Sequence, residues 1–191
     1  MFLDVAIGIF VAIWVSGQFS FPLSFGFLFW AIFIALLPDI DLAVEEAYFK
    51  LRGKKLQKHD HRDIFHYPII YLLVGATVLL LLVSEVWALT FVVISLFHFL
   101  HDSIGIGWGV YWLYPFSDKR YSFFYQYDIF KHKIKPYKWV YSWSEEELKK
   151  MIAAYGDPDW IRTIYFRMHP YALVEILFFI FSVLTLYKVW F

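Results

Sequence analysis

Three short stretches carry most of the side chains in this chain that could do chemistry. "LLPDID" (36–41) sets Asp39 and Asp41 directly after an apolar run. "HDHRDIFH" (59–66) supplies His59, His61, Arg62 and His66. "HFLHD" (98–102) supplies His98, His101 and Asp102. His98 and Asp102 are i,i+4 and His98 and His101 are i,i+3, so on a helix they project from neighbouring positions. Asp39 and Asp41 follow Pro38, and in an extended exit segment i and i+2 point the same way. Five of the seven histidines fall in this set, and Asp4 joins it from the start of the chain. Imidazoles with carboxylates suit Zn²⁺, and also Mn²⁺ or Fe²⁺. With no cysteine in the chain, thiolate sites and disulfides are excluded. Carboxylates able to bridge point to two ions, and a two-metal site activates water and clamps a phosphoryl group. Arg62 is the natural anion binder beside it, because a guanidinium grips phosphate in two places.

Each residue also has a plainer reading. Asp39 alone could cap a following helix, His59 could be a bystander on a basic linker, and His101 could support another ligand or face lipid headgroups. Arg62 could simply be one more cytoplasmic positive charge. Glu175 lies about one turn inside the last apolar stretch, where a hydrogen bond to a neighbouring helix competes with a functional role. His132 and His169 read as surface groups. No Gly-rich phosphate loop, serine-nucleophile motif or HExxH zinc motif is present.

The elements that must position these groups are apolar. Of 191 residues 61% are hydrophobic, with 22 Phe, 14 Tyr and 9 Trp, and the mean hydropathy is +0.57. That is the composition of an integral membrane protein with many residues at the lipid–water boundary. Five apolar stretches, Phe2–Val15, Phe21–Leu37, Tyr67–Val83, Val86–Leu100 and Tyr171–Phe191, predict about five membrane-embedded helices in an all-α protein. "SGQFSFP" and "VSEV" are turns that make hairpins of the first and second pairs. The first stretch lacks a basic n-region and a cleavage site, so it reads as a retained helix and not a signal peptide.

The two hydrophilic regions, 42–66 and 103–169, hold 16 of the 17 Lys and Arg. With five spans both lie on the side of the N-terminus, which the positive-inside rule makes cytoplasmic. Asp4, Asp39, Asp41, His59, His61, His66, His98, His101 and Asp102 can then all share one depth on that face. The zero net charge gives no support to nucleic-acid binding; membrane lipids are the expected surroundings. The chain reads as a single membrane domain with a core of 1–120 and 170–191. Its insertion, 121–169, reads as cytoplasmic or interfacial, helical and aromatic-rich, either lying on the headgroup region or folding as a soluble loop with its own small aromatic core. In it "SEEE" is a capping box, Ser144 to Glu147, opening a helix to about Tyr155 that Gly156 stops. "DPDW" restarts a helix, with Asp157 as cap and Pro158 at its first position, running to about Met168.

These motifs resemble the membrane-bound metal-dependent hydrolases, also described as LexA-binding, inner-membrane-associated hydrolases. That family's pattern is PDxD, then HRxxxH, then HxxxD, then a Gly-containing stretch ending near Pro-Phe. The matching positions are Asp39 and Asp41; His61, Arg62 and His66; His98 and Asp102; and "GVYWLYPFS" (109–117). The likeness covers about residues 30 to 120. Asp4 stands where the family often has a histidine, and Tyr67 where a serine often follows the second histidine. A distant likeness to zinc phospholipase C and P1 nuclease implies phosphoester cleavage.

The resemblance thus implies an inner-membrane hydrolase acting on a phosphoester or lipid-like substrate. Asp39, Asp41, His61, His66, His98 and Asp102 would be ligands, with Asp4 and His101 as further ligands or bases. Two other readings stand beside it. One is a metal-stabilised scaffold that recruits a cytoplasmic partner through 121–169. The other is a metal-ion transporter, which would want polar residues deep in several spans. Neither the substrate nor the oligomeric state is legible from the sequence.

Overall fold

The computed structural model describes residues 1–40, 51, 65–105, 108–124, 138–157 and 159–191. Asp41, His59, His61, Arg62, His132 and Pro158 lie outside them. Each of the five apolar stretches is a helix: α1 (Phe2–Phe19), α2 (Phe25–Leu36), α3 (Pro68–Leu82), α4 (Glu85–Ser103) and α6 (Pro170–Trp190). Three of them, α1, α4 and α6, are long and apolar enough to cross a membrane. The other two are shorter. At 1.5 Å per residue, α2 and α3 reach roughly 18 and 22 Å, against a hydrocarbon core of ~30 Å. Prolines bound both, Pro22 and Pro38 around α2 and Pro68 at the start of α3.

The expected turn at Gly17 is instead helix. α1 runs on through Ser16, Gly17 and Gln18 to Phe19, and it stops at Ser20, which takes the left-handed conformation (φ 49°). Taking in these residues gives α1 a spanning length that its apolar run alone lacks.

The contacts form two compact units. The first comprises Met1–Pro38, Leu72–His98 and Asp159–Phe191. Within it α1 packs on both α2 and α6. The approach to α2 is close because Gly8 has no side chain: a Cβ there would lie 2.9 Å from the Ala31 carbonyl oxygen. Near the N-termini of α2 and α4, Trp87 packs edge-on to Phe27 and Trp30, with ring centroids 5.4 Å away in each case. Trp190, at the C-terminal end of α6, stacks on Phe25 and donates its indole N–H to the Leu23 carbonyl (3.2 Å). Amphipathic rings gather in this way at a membrane–water boundary. The polar residues Asp4, His98 and Glu175 sit at the other ends of the same helices.

The second unit comprises Asp39–Tyr71 and Phe99–Pro158. Here the all-helical expectation needs correcting. Arg120–Phe123 (β1) pairs antiparallel with Val140–Trp143 (β2) in a two-stranded ribbon. The aromatic and β-branched residues in "RYSF" and "VYSW" suit a pleated, half-buried surface, and β1 also bridges Val110 and Ile104. The helix α5 (Glu145–Tyr155) follows with the expected capping box, and Gly156 is its C-cap. Leu148 buries against Trp143, which ties α5 to β2.

The restart after Asp157 is not the long helix expected. Arg162–Phe166 is one π-helical turn, and α6 takes His169 as its N-cap, with the ring Nδ1 accepting the Tyr171 N–H at 3.3 Å. His169 is therefore a buried cap and not a surface group.

The capping box carries a pH signature. The Ser144 N–H and hydroxyl donate to Glu147 Oε2 at 2.8 and 3.0 Å, and together they hold the Glu147 carboxyl below its usual range. A depressed folded-state pKa gives stability that is present above the unfolded value and lost as pH falls through the folded one. The first turn of α5 should therefore fray in acid. Cα chemical shifts of residues 145–148 should move toward coil below the ordinary carboxylate pKa of ~4.3. The Glu147→Gln variant should lack that transition.

Candidate metal centre

Four buried or half-buried side chains converge. Asp39 closes a 3₁₀ turn, Leu37–Asp39, that Pro38 sets at the end of α2. His66 precedes Pro68 at the entrance to α3. His98 and Asp102 lie one turn apart on the single helix α4. Each of the four offers one donor atom, and these atoms all lie within 4.8 Å of one another. His66 Nε2 is 3.0 Å from Asp102 Oδ2 and 3.9 Å from Asp39 Oδ1. Metal–ligand bonds of ~2.0–2.1 Å put tetrahedral donors roughly 3.3 Å apart, a spacing these distances bracket. Two imidazoles and two carboxylates form a donor set of net charge −2. Buried acidic groups need a counter-charge, which a divalent cation would supply. The residues present fit such an ion.

The surroundings hold the donors still. His66 is fully buried and packs edge-on to Phe99, ring centroids 6.0 Å apart. The next residue, Tyr67, stacks on Tyr111 and packs at a tilt against Tyr114, which pins the chain at the α3 entrance. Ser103, just after Asp102, is clasped from two sides. Trp112 donates its indole N–H to Ser103 Oγ (2.7 Å), and Ser122 donates its hydroxyl to the Ser103 carbonyl (3.0 Å). The stretch "GVYWLYPFS" therefore fastens the end of α4. Arg120 is buried with its guanidinium over the Tyr111 ring, 4.6 Å from the centroid.

Of the residues proposed from sequence, the structure brings Asp39, His66, His98 and Asp102 together. Asp41, His61 and Arg62 lie outside the described residues. His101 is half-buried on α4 and is not among the four. Asp4 is buried against His98, with Oδ1 3.2 Å from Nδ1, and is likewise not among the four. Glu175 takes the bland role weighed for it. It accepts from the Tyr165 hydroxyl (3.0 Å) and the Leu3 N–H (3.5 Å) and lies 3.3 Å from the Met1 amino group. Sequence reasoning missed Ser103 and Ser122, which carried no signal, and the part played by Trp112, which lay inside the matched stretch "GVYWLYPFS" (109–117).

Apolar helices of spanning length, with a polar cluster of metal-ligating type at their ends, define an integral membrane protein with a candidate metal centre. The chain belongs to the YdjM inner membrane protein family, whose model matches residues 3–189. No curated protein and no solved structure matches it. The family match carries the membrane placement; the hydrolase likeness rests on the motif residues alone.

Proposed function

We propose that this protein is a membrane-embedded, metal-dependent hydrolase that cleaves a phosphoester, carried on a lipid or lipid-like molecule, at the cytoplasmic interface. The observation that supports this is the convergence of Asp39, His66, His98 and Asp102. Asp39, His66, His98 and Asp102 would hold a divalent ion, which when bound would supply an acidified water and a Lewis acid for a phosphoryl oxygen. The protein's own part is to hold four donors at fixed spacing in a poorly solvated setting, where electrostatic effects are strong. Asp39 is the most open donor, its side chain 32% exposed, while that of His66 is fully buried. On this reading water and substrate approach from its side of the cluster, since a catalytic site keeps an open position and a structural site does not. Asp41, His61, Arg62 and His101 remain proposed as further ligands, phosphate holder and base. Zn²⁺ is the proposed ion, and a second ion would draw on Asp41 and His61.

The test uses the intact protein in detergent. Metal content is measured first, followed by release of phosphate or headgroup from soluble phosphoesters and from phospholipid vesicles, with and without chelator. We expect release that the chelator abolishes and that zinc restores. Vesicle substrates should be preferred, because a site at membrane depth offers nothing to a soluble ester. Bound metal with no turnover across the panel would favour the scaffold, and absence of metal would remove the site altogether.

A further inference from the structure

We propose that Asp4 is a positioning residue for His98, not a ligand: it orients the ring so that Nε2 faces the metal. The inference rests on the metal reading above. His98 Nδ1 lies 2.9 Å from the Ala35 carbonyl oxygen and 3.2 Å from Asp4 Oδ1. A carbonyl oxygen only accepts, so the hydrogen sits on Nδ1 and is shared between Ala35 and Asp4. That leaves the Nε2 lone pair as the one His98 can give to an ion. The two acceptors come from α1 and the end of α2, so they fix the ring from two helices. Both side chains are almost fully buried, Asp4 at 2% and His98 at 1% exposure.

A carboxylate is costly to bury; the Met1 amino group offsets part of that cost at Oδ2, while Oδ1 is turned to the His98 ring. A carboxylate behind a metal-bound imidazole has a further effect: it fixes the ring's orientation and raises its basicity toward the ion. Asp4 is itself held, with Oδ2 2.7 Å from the Met1 amino group. That group also contacts Glu175, which Tyr165 anchors.

The test titrates Zn²⁺ into the full-length protein and records Co²⁺ spectra on the same variants. Asp4→Ala should bind Zn²⁺ ~10–100-fold more weakly with unchanged stoichiometry. Asp4→Asn, which keeps the acceptor and loses the charge, should fall between this variant and wild type. The Co²⁺ ligand-field bands should match wild type in both, because no ligand is lost. In the metal-free wild type, ¹⁵N-histidine spectra should show His98 protonated at Nδ1. A changed Co²⁺ coordination number would make Asp4 a ligand and overturn the proposal. So would unchanged Zn²⁺ affinity in both variants, or a proton on Nε2 in the metal-free protein; either leaves the metal reading intact. A wild type that takes up no Zn²⁺ is a separate result, read without any variant, and removes both.

Discussion

Replacing His66 with alanine is expected to strip the protein of metal while leaving its helices in place. His66 is the hinge of the donor set, since its Nε2 is the atom within 3.0 Å of one carboxylate and 3.9 Å of another. Without it, Asp39 and Asp102 face each other across a gap with only His98 to help, and two carboxylates repel. Changing a residue that merely supports a ligand already costs 10–100-fold in metal affinity. Loss of the ligand itself should cost at least ~100-fold on that scale. Asp102→Ala should do the same. The secondary structure should survive, because His66 lies outside every described helix and α1 packs on both α2 and α6 without it. Metal analysis of purified protein, with far-ultraviolet circular dichroism beside it, gives the answer. Metal retained at wild-type affinity in His66→Ala would show that the four donors are not a site.

The second large effect is expected far from any ligand, at Gly109. Its φ is +80°, and a Cβ there would sit 2.5 Å from the Tyr121 carbonyl oxygen and 2.7 Å from its carbonyl carbon. For an L-residue the left-handed conformation alone costs roughly 1–2 kcal/mol. The collision adds to that, because the atoms met are strand backbone and cannot swing aside. In Gly109→Ala either β1 must leave Val110 or the 109–117 stretch must leave β1. Both moves loosen Trp112 and Ser122 from Ser103, one residue beyond Asp102.

The variant should therefore show a lowered melting temperature in detergent together with weakened metal binding, although it touches no ligand. Gly17→Ala is the contrast. Nothing lies within 4 Å of a Cβ at Gly17, which is helical, so alanine there should be neutral or stabilising by up to ~1 kcal/mol. If Gly109→Ala melts like wild type, the clasp on α4 is not what holds Asp102.

The contrast between these glycines marks where reading the chain works. Both are single glycines in the sequence, and the turn expected at Gly17 is in fact helix. The position that needs a glycine, Gly109, was visible only as one letter of a recurring pattern. Where each chain segment ends was harder to see than what it is made of. All five apolar stretches are helices within a few residues of their expected bounds, because a run of apolar side chains has few other ways to satisfy its backbone in lipid. The capping box of α5 was equally plain, since both partners lie within four residues. The β-ribbon was not, because its strands are short and their partners seventeen or more residues away.

By itself the sequence determined the membrane character, the helices, and the kinds of donor atom on hand: imidazoles and carboxylates, with no thiol. Spacing within one element was enough to pair His98 with Asp102, because a helix repeats every 3.6 residues. Only the tertiary structure decided which donors from different elements meet. It placed His66 and Asp39 beside Asp102, set Asp4 behind His98, and left His101 out. Those choices depend on backbone groups that no side-chain pattern announces, such as the Ala35 carbonyl that takes the His98 proton and the Tyr121 carbonyl that excludes a side chain at Gly109. They follow from how closely neighbouring segments pack, and that distance is a property of the folded chain.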